Sequence, residues 1–157
     1  MSFFKDLAYI HRHNTFHSRV VIMALYLEKK FISPFSFFIS IYRRLFIQCT
    51  YNCVIHPDSF RTLNSIVTLT MPHPYFIVIH KEVSIGDNCK IYQGVTIGST
   101  EKEGELHKLA YIGNNVMISV KSTILGGVKV GDNVKIGAHA LVLKDIEAGK
   151  TVVGLWK

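Results

Sequence analysis

Acidic residues are scarce here: eleven Asp and Glu stand against eighteen Lys and Arg, giving a net charge of +7 over 157 residues. The shortage is sharpest in residues 1–50, where seven basic side chains face only Asp6 and Glu28. No recognised nucleic-acid-binding motif accompanies that charge, so nucleic acid is not the expected partner. The chain opens with Phe3-Phe4-Lys5-Asp6 instead of a basic region followed by an apolar run, so no secretory signal is expected. Arg43-Arg44 breaks the longest apolar segment, and no stretch approaches the ~20 residues of a spanning helix. Cysteines are few and odd in number: Cys49, Cys53 and Cys89. With no disulfide framework, a reducing, cytoplasmic setting is the expectation. Cys49 and Cys53 lack the two further ligands of a zinc site and read as buried apolar residues.

An apolar fraction of 48% with 18% charged residues excludes a disordered chain and supports a substantial core. Its pattern is a six-residue period. Ile79, Ile85, Ile91 and Ile97 form one series; Ile112, Ile118, Ile124, Val130, Ile136 and Val142 form another. Gly often follows directly, and a small aliphatic returns four places on, as at Val83, Val95, Val116, Val128, Val134 and Ala140. Neither a helix nor an alternating strand has that period; a solenoid does. Three six-residue sides make one triangular turn, with aliphatics stacked inward and small residues at the corners. About five coils are expected, counting degraded repeats at Ile55–Ser59 and Ile66–Leu69. Residues 99–111 are polar and break the rhythm, so they are expected to loop out, a usual place for function.

Before the coil, residues 17–30 read as a helix. Ser33-Pro34 reads as the cap and first turn of a second helix ending near Gln48. The N-terminal histidines His11, His13 and His17 fall in what reads as a flexible start. Eight of the ten Phe lie in residues 1–50. The basic, aromatic region is expected to pack on itself or a neighbouring subunit, with contact to an anionic membrane surface as the sharper expectation. The domain division expected is a helical region over 1–53 and a coil over 54–157.

The repeats, together with Pro72-His73-Pro74-Tyr75, Ile85-Gly86-Asp87-Asn88, Tyr92-Gln93-Gly94-Val95-Thr96-Ile97-Gly98 and Ile124-Leu125-Gly126-Gly127, resemble the left-handed β-helix acyltransferases. Within that family the similarity is to the serine acetyltransferase-like group, including short enzymes that O-acetylate bacterial surface polysaccharides. It covers residues 54–154 well. The resemblance implies a mainly β fold, a left-handed parallel β-helix with a small helical region. It also implies a homotrimer, acetyl-CoA as donor, no metal, and an active site between neighbouring subunits.

His73 stands where the register calls for an aliphatic side chain, between two prolines. Pro74 restricts it to extended backbone. An imidazole with an ordinary pKa near ~6.5 suits proton abstraction from a hydroxyl. In the resembling enzymes this position holds the general base. His107, at the end of the excursion, matches a histidine lining the acceptor site and is expected to be catalytic or substrate-contacting, and Tyr75 and Glu105 are assigned to the acceptor side with it. Small residues at Gly98, Ser99, Ser119 and Ala138 would let pantetheine lie along the coil edges, and the family match adds Val120 and Lys144. Residues 112–157 carry six Lys against three acids, which suits CoA phosphates. His80, His56 and His139 read as structural or edge residues.

The sequence departs from the family at Val54, where a carboxylate orients the base, and at Pro72, often Asp. Asp58 or Glu105 remain alternatives for that role. The expected mechanism is direct transfer: His73 removes the hydroxyl proton, and an N–H near Gly98–Ser99 stabilises the oxyanion. The acceptor expected first is a hydroxyl of a bacterial surface saccharide, partly because residues 1–50 are short and basic. Serine is second. A metal hydratase of the γ-carbonic anhydrase kind, using His73, His80 and His107, is a distant third, and a non-catalytic scaffold is a further alternative.

Overall fold

The computed structural model describes residues 3–31, 35–100 and 109–157. Among the described residues, twelve short strands wind into a prism with three parallel sheets as faces. The first face stacks β1 (Val78–Ile79), β4 (Thr96–Gly98), β7 (Thr123–Leu125), β10 (Leu141–Val142) and β12 (Leu155–Trp156). The second stacks β2 (Ser84–Ile85), β5 (Tyr111–Ile112) and β8 (Lys129–Val130). The third stacks β3 (Lys90–Ile91), β6 (Met117–Ile118), β9 (Lys135–Ile136) and β11 (Thr151–Val152). Register follows the six-residue series: Ile79 pairs with Ile97, Ile97 with Ile124, and Ile124 with Val142. Each of these side chains is buried in the prism, as are the aliphatics four places on. Both positions of the repeat therefore point inward, which is why a period of six survives along the chain.

The corners divide their labour in a way the sequence reading did not separate. Positive φ falls on Asn88, Asn115 and Asn133 at one corner in successive coils, a conformation Asn tolerates. The Gly after each aliphatic serves close approach instead. A Cβ on Gly131 would come within 2.5 Å of the Ala148 backbone N in the next coil.

The degraded repeats are not strands. Pro57–Ser59 is a 3-10 turn and Leu63–Val67 a short helix, α5 in the order below. Single bridges from Val54, Phe60 and Thr70 to Val78, Ile85 and Lys90 still seat this segment as the first of five coils.

Helices α1 (Phe3–His13), α2 (Phe16–Lys30), α3 (Phe35–Tyr42) and α4 (Gln48–Tyr51) precede α5, and a π-helical turn over Arg43–Ile47 joins α3 to α4. The chain start is thus helical, against the expectation of flexibility. Ile10 is wholly buried, and buried Asp6 accepts a 2.7 Å hydrogen bond from Tyr26 Oη. Helix α2 matches the expected span, and the second helical stretch runs on to Tyr51. The Ser33-Pro34 cap lies outside the described residues. Arg43 ties the layer to the coil: its Nε donates to Glu28 at 2.6 Å and its Nη1 to the Ile55 carbonyl at 2.8 Å. Cys53 and Cys89 are buried as expected, and burial pushes each thiol up to about 11. Cys49 is exposed, a correction with a simple cause: it lies on the outward side of its helix.

Candidate active site

His73 is an exposed residue on a strap, residues 69–77, that is otherwise largely buried and crosses from the third face to the first. The strap has little regular structure, so side chains must satisfy its backbone groups. They come from the α1–α2 junction. Asn14, 7% exposed, accepts from the Met71 N–H at 3.2 Å and donates to the Leu69 carbonyl at 3.1 Å. Ser18 Oγ donates to the Met71 carbonyl, and Thr15 Oγ1 to the Pro72 carbonyl at 3.4 Å. From the other side Cys53 Sγ donates to the Pro74 carbonyl at 3.2 Å. His73 is therefore carried on backbone pinned on both sides.

Next to it, Tyr75 packs among aromatic rings. Its centroid is 5.6 Å from that of Tyr51 and 6.0 Å from that of His17, and His17 Nδ1 lies 3.2 Å from Tyr51 Oη. Burial, then the neighbouring Tyr75 and Tyr42 hydroxyls, raises the Tyr51 pKa. Sequence reasoning missed Asn14, Thr15 and Ser18, whose partners lie more than fifty residues away and leave no local signal.

Ser119, Val120 and Ala138 share the strap's corner of the prism. A ladder runs down it: Gly94 N–H to the Tyr75 carbonyl at 2.9 Å, Lys121 N–H to Gln93 at 3.0 Å, and His139 N–H to Val120 at 2.9 Å. Coils stack at about 4.8 Å, so Ala138 lies three coils, about 14 Å, from the strap. His139 takes positive φ here, as a corner residue.

Gly98, Ser99 and Lys144 occupy the opposite edge of the first face. The Gly98 carbonyl accepts from the Gly126 N–H at 3.0 Å, and Lys144 Nζ sits 5.3 Å from the Trp156 ring centroid. Above Gly98 and Ser99 opens a groove of about 660 Å³, with Arg43, Arg44, His56, His80 and Lys81 in its wall. Asp58, one alternative for orienting His73, instead pairs with His56, Oδ2 to Nδ1 at 3.2 Å, on this edge. Burial lowers the His56 pKa and Asp58 opposes that shift. His80 Nδ1 accepts from the Glu82 N–H at 3.3 Å. Glu105 and His107 lie outside the described residues. Among the described residues no three His, Cys, Asp or Glu side chains gather as a metal site.

One chain thus brings His73 together with Ser119, Val120 and Ala138, and keeps Gly98, Ser99 and Lys144 on another edge.

Comparison with known proteins agrees with this architecture. Residues 110–144 match the family model described as bacterial transferase hexapeptide (six repeats). A serine acetyltransferase of Staphylococcus epidermidis is 47% identical over 88 residues, 55% of this chain and 40% of that protein. The chain thus spans about two fifths of the curated relatives it matches. The structure of Neisseria gonorrhoeae serine acetyltransferase in complex with serine aligns with 88% of this chain and 52% of its own, at 26% identity and TM-score 0.63. A serine acetyltransferase solved in complex with CoA aligns over 88% and 53%, with TM-score 0.65 at 24% identity, a likeness of fold. These findings overturn the expectation of a surface-saccharide acceptor in favour of the second alternative, serine. The saccharide expectation leaned on the length and charge of residues 1–50, which do not report which hydroxyl is acylated. Residues 110–144 match the bacterial transferase hexapeptide model, within a left-handed parallel β-helix similar in fold to the solved serine acetyltransferases.

Proposed function

We propose that the protein is a serine O-acetyltransferase using acetyl-CoA, the co-substrate that the family resemblance implies. The observation that carries this reading is the 47% identity with a serine acetyltransferase over 88 residues. His73 is the general base. It takes the proton of the serine hydroxyl, whose oxygen attacks the acetyl carbonyl. The C–S bond then breaks, and the proton passes to the departing CoA thiolate. A backbone N–H at Gly98–Ser99 of a neighbouring copy is assigned to the oxyanion. Pantetheine runs along Ser119, Val120 and Ala138, with Lys144 toward the phosphates. His107, Tyr75 and Glu105 are assigned to the acceptor side.

A homotrimer belongs to this reading, and the faces of the prism support it. The first face directs Val54, Val78, Thr96, Thr123, Leu141 and Leu155 outward, with no charge among them. Val54, Val78 and Leu155 are 41%, 43% and 56% exposed. The other two faces direct Lys90, Lys129 and Lys135 outward. Two copies can bury charge-free faces at little desolvation cost. A cytoplasmic setting is proposed on the same footing.

The departure at Val54 has a structural counterpart. Its neighbour Cys53 bonds the strap and the Val54 N–H donates to the Ile77 carbonyl at 2.8 Å, yet no carboxylate stands at this position. Orientation of His73 then rests on the pinned backbone. Thiol release from acetyl-CoA, measured with and without L-serine, tests the proposal. His73→Ala is expected to lower kcat by about 10²–10⁴-fold with the trimer intact. Serine-independent thiol release, or full activity of His73→Ala, would refute it.

A further inference from the structure

The stretch from α3 to α4 is built inside out. From α3 into the π-helical turn the half-buried or buried positions are Ser36, Ile39, Ser40, Arg43 and Ile47, and that side faces the protein. Arg43 is buried against Glu28, and Ser36 and Ser40 line the seam with Glu28, Lys29 and His56. The opposite side carries Phe37, Phe38, Ile41, Tyr42, Leu45 and Phe46, which are 38–66% exposed. A helix packed on a soluble domain normally shows the reverse polarity. The apolar surface also continues past α3, into a groove where Phe38 and Tyr42 meet Val20, Met23 and Leu27 of α2.

The charge around this surface selects what covers it. Residues 1–50 contain two carboxylates, and both are consumed internally. Asp6 is buried on Tyr26, and the Glu28 side chain, 8% exposed, is paired with Arg43. What reaches solvent is positive: Lys5, Arg12 and Arg44 are exposed. Asp58 is an exposed carboxylate at the seam beside Phe37, so a second copy would bring a mainly cationic surface against another mainly cationic one. An anionic lipid surface offers a negative layer for the basic residues and an acyl boundary for the aromatics, without demanding complementary shape. Among the described residues no helix is long and apolar enough to cross a membrane.

We propose that the outward face of Phe35–Tyr51, with the adjoining side of α2, docks the protein peripherally on anionic membranes. The helix lies in the plane of the interface and Phe37, Phe38, Leu45 and Phe46 enter it, while Arg44 contacts headgroups. The inference stands on the helical layer alone and is independent of the acetyl acceptor.

Co-sedimentation of the full chain with extruded vesicles tests it. Phosphatidylglycerol–phosphatidylethanolamine vesicles are expected to bind at least tenfold more protein than phosphatidylcholine vesicles, with the difference shrinking in 0.5 M salt. Combined Phe37→Ser, Phe38→Ser and Leu45→Ser is expected to lower binding at least tenfold, with helix content and particle mass unchanged. Should the triple variant fold poorly, Arg44→Glu serves instead, with about a tenfold loss on anionic vesicles only. Equal binding to both lipids, undiminished binding by the folded variants, or a fall in particle mass in the triple variant would overturn the proposal. The last outcome would assign the face to a contact between copies.

Discussion

The coil and the helical layer are held together by different means. In the coil, backbone ladders join each turn to the next and the interior is almost wholly aliphatic. In the helical layer, a small apolar core is supplemented by point ties between buried polar groups: Arg43–Glu28, Asp6–Tyr26, Asn14 to the strap, and Ser18 to Met71. Repetition spreads stability over nearest neighbours, so no single coil contact dominates. Point ties concentrate it, because removing one partner strands the other in a dry site. The strap that carries His73 belongs to the coil by sequence but is pinned by the layer.

The sharpest break in that contrast is expected at Arg43. Arg43→Met leaves Glu28 buried and unpaired and should cost about 3–5 kcal/mol. Combining it with Glu28→Leu should restore much of that loss. A urea titration of the single and double variants measures it, and additive losses would show that the pair is not the tie. In the coil, Gly131→Ala should cost about 3 kcal/mol, since the new Cβ meets the Ala148 backbone and only a coil shift can relieve it. Thermal denaturation checks this, and a change under about 0.5 kcal/mol would deny the close approach.

Asn14→Ala tests whether the layer serves the site. It strands the Met71 N–H and the Leu69 carbonyl, so about 2 kcal/mol of stability should go. If the strap orients His73, kcat should fall about tenfold with KM for acetyl-CoA unchanged, and Asn14→Asp should recover part of it. A loss of stability with kcat untouched would leave Asn14 a merely structural tie. Val54→Asp is the converse. Supplying a carboxylate beside the strap should raise kcat several-fold in the fraction that stays trimeric, since Val54 also lies on the face proposed to pack between copies.

The smallest effect concerns Asp87. Burial alone would raise its pKa, but hydrogen bonds from Ser65, Asn64 and Thr62 and the charge of Arg61 prevail and hold it below the usual carboxylate range. The stabilisation is therefore present above the unfolded pKa near ~3.9 and is lost as pH falls through the folded value. Melting temperature should decline over that acid window more steeply than in Asp87→Asn. Parallel pH profiles would remove Asp87 from the account.

What could be read from the sequence follows the same division. Ile79 through Val142 announced the coil because each tier repeats the same burial, so local pattern and global fold agree. The corner roles of Asn88, Asn115 and Asn133 went unread because attention falls on Gly. Helix α1 was missed since His11, Arg12 and His13 interrupt its apolar side, although Ile10 is buried by α2 and α5. Cys49 was misassigned because apolarity normally means inward, and here the helix is reversed. His73 stood out as a break in register, whereas Asn14, one of the strap's supports, reaches a residue 57 positions later and shows nothing locally.

That span of 57 residues also has a consequence for the order of assembly. Successive coils meet over short loops, so the prism can nucleate early. The strap is in place only after α1 and α2 close back onto it across a much longer loop. During synthesis Asn14 emerges well before Leu69 and waits for its partner. A folding chain is therefore expected to pass through a state with a formed prism and an unformed site, and recovery of activity should trail recovery of β structure.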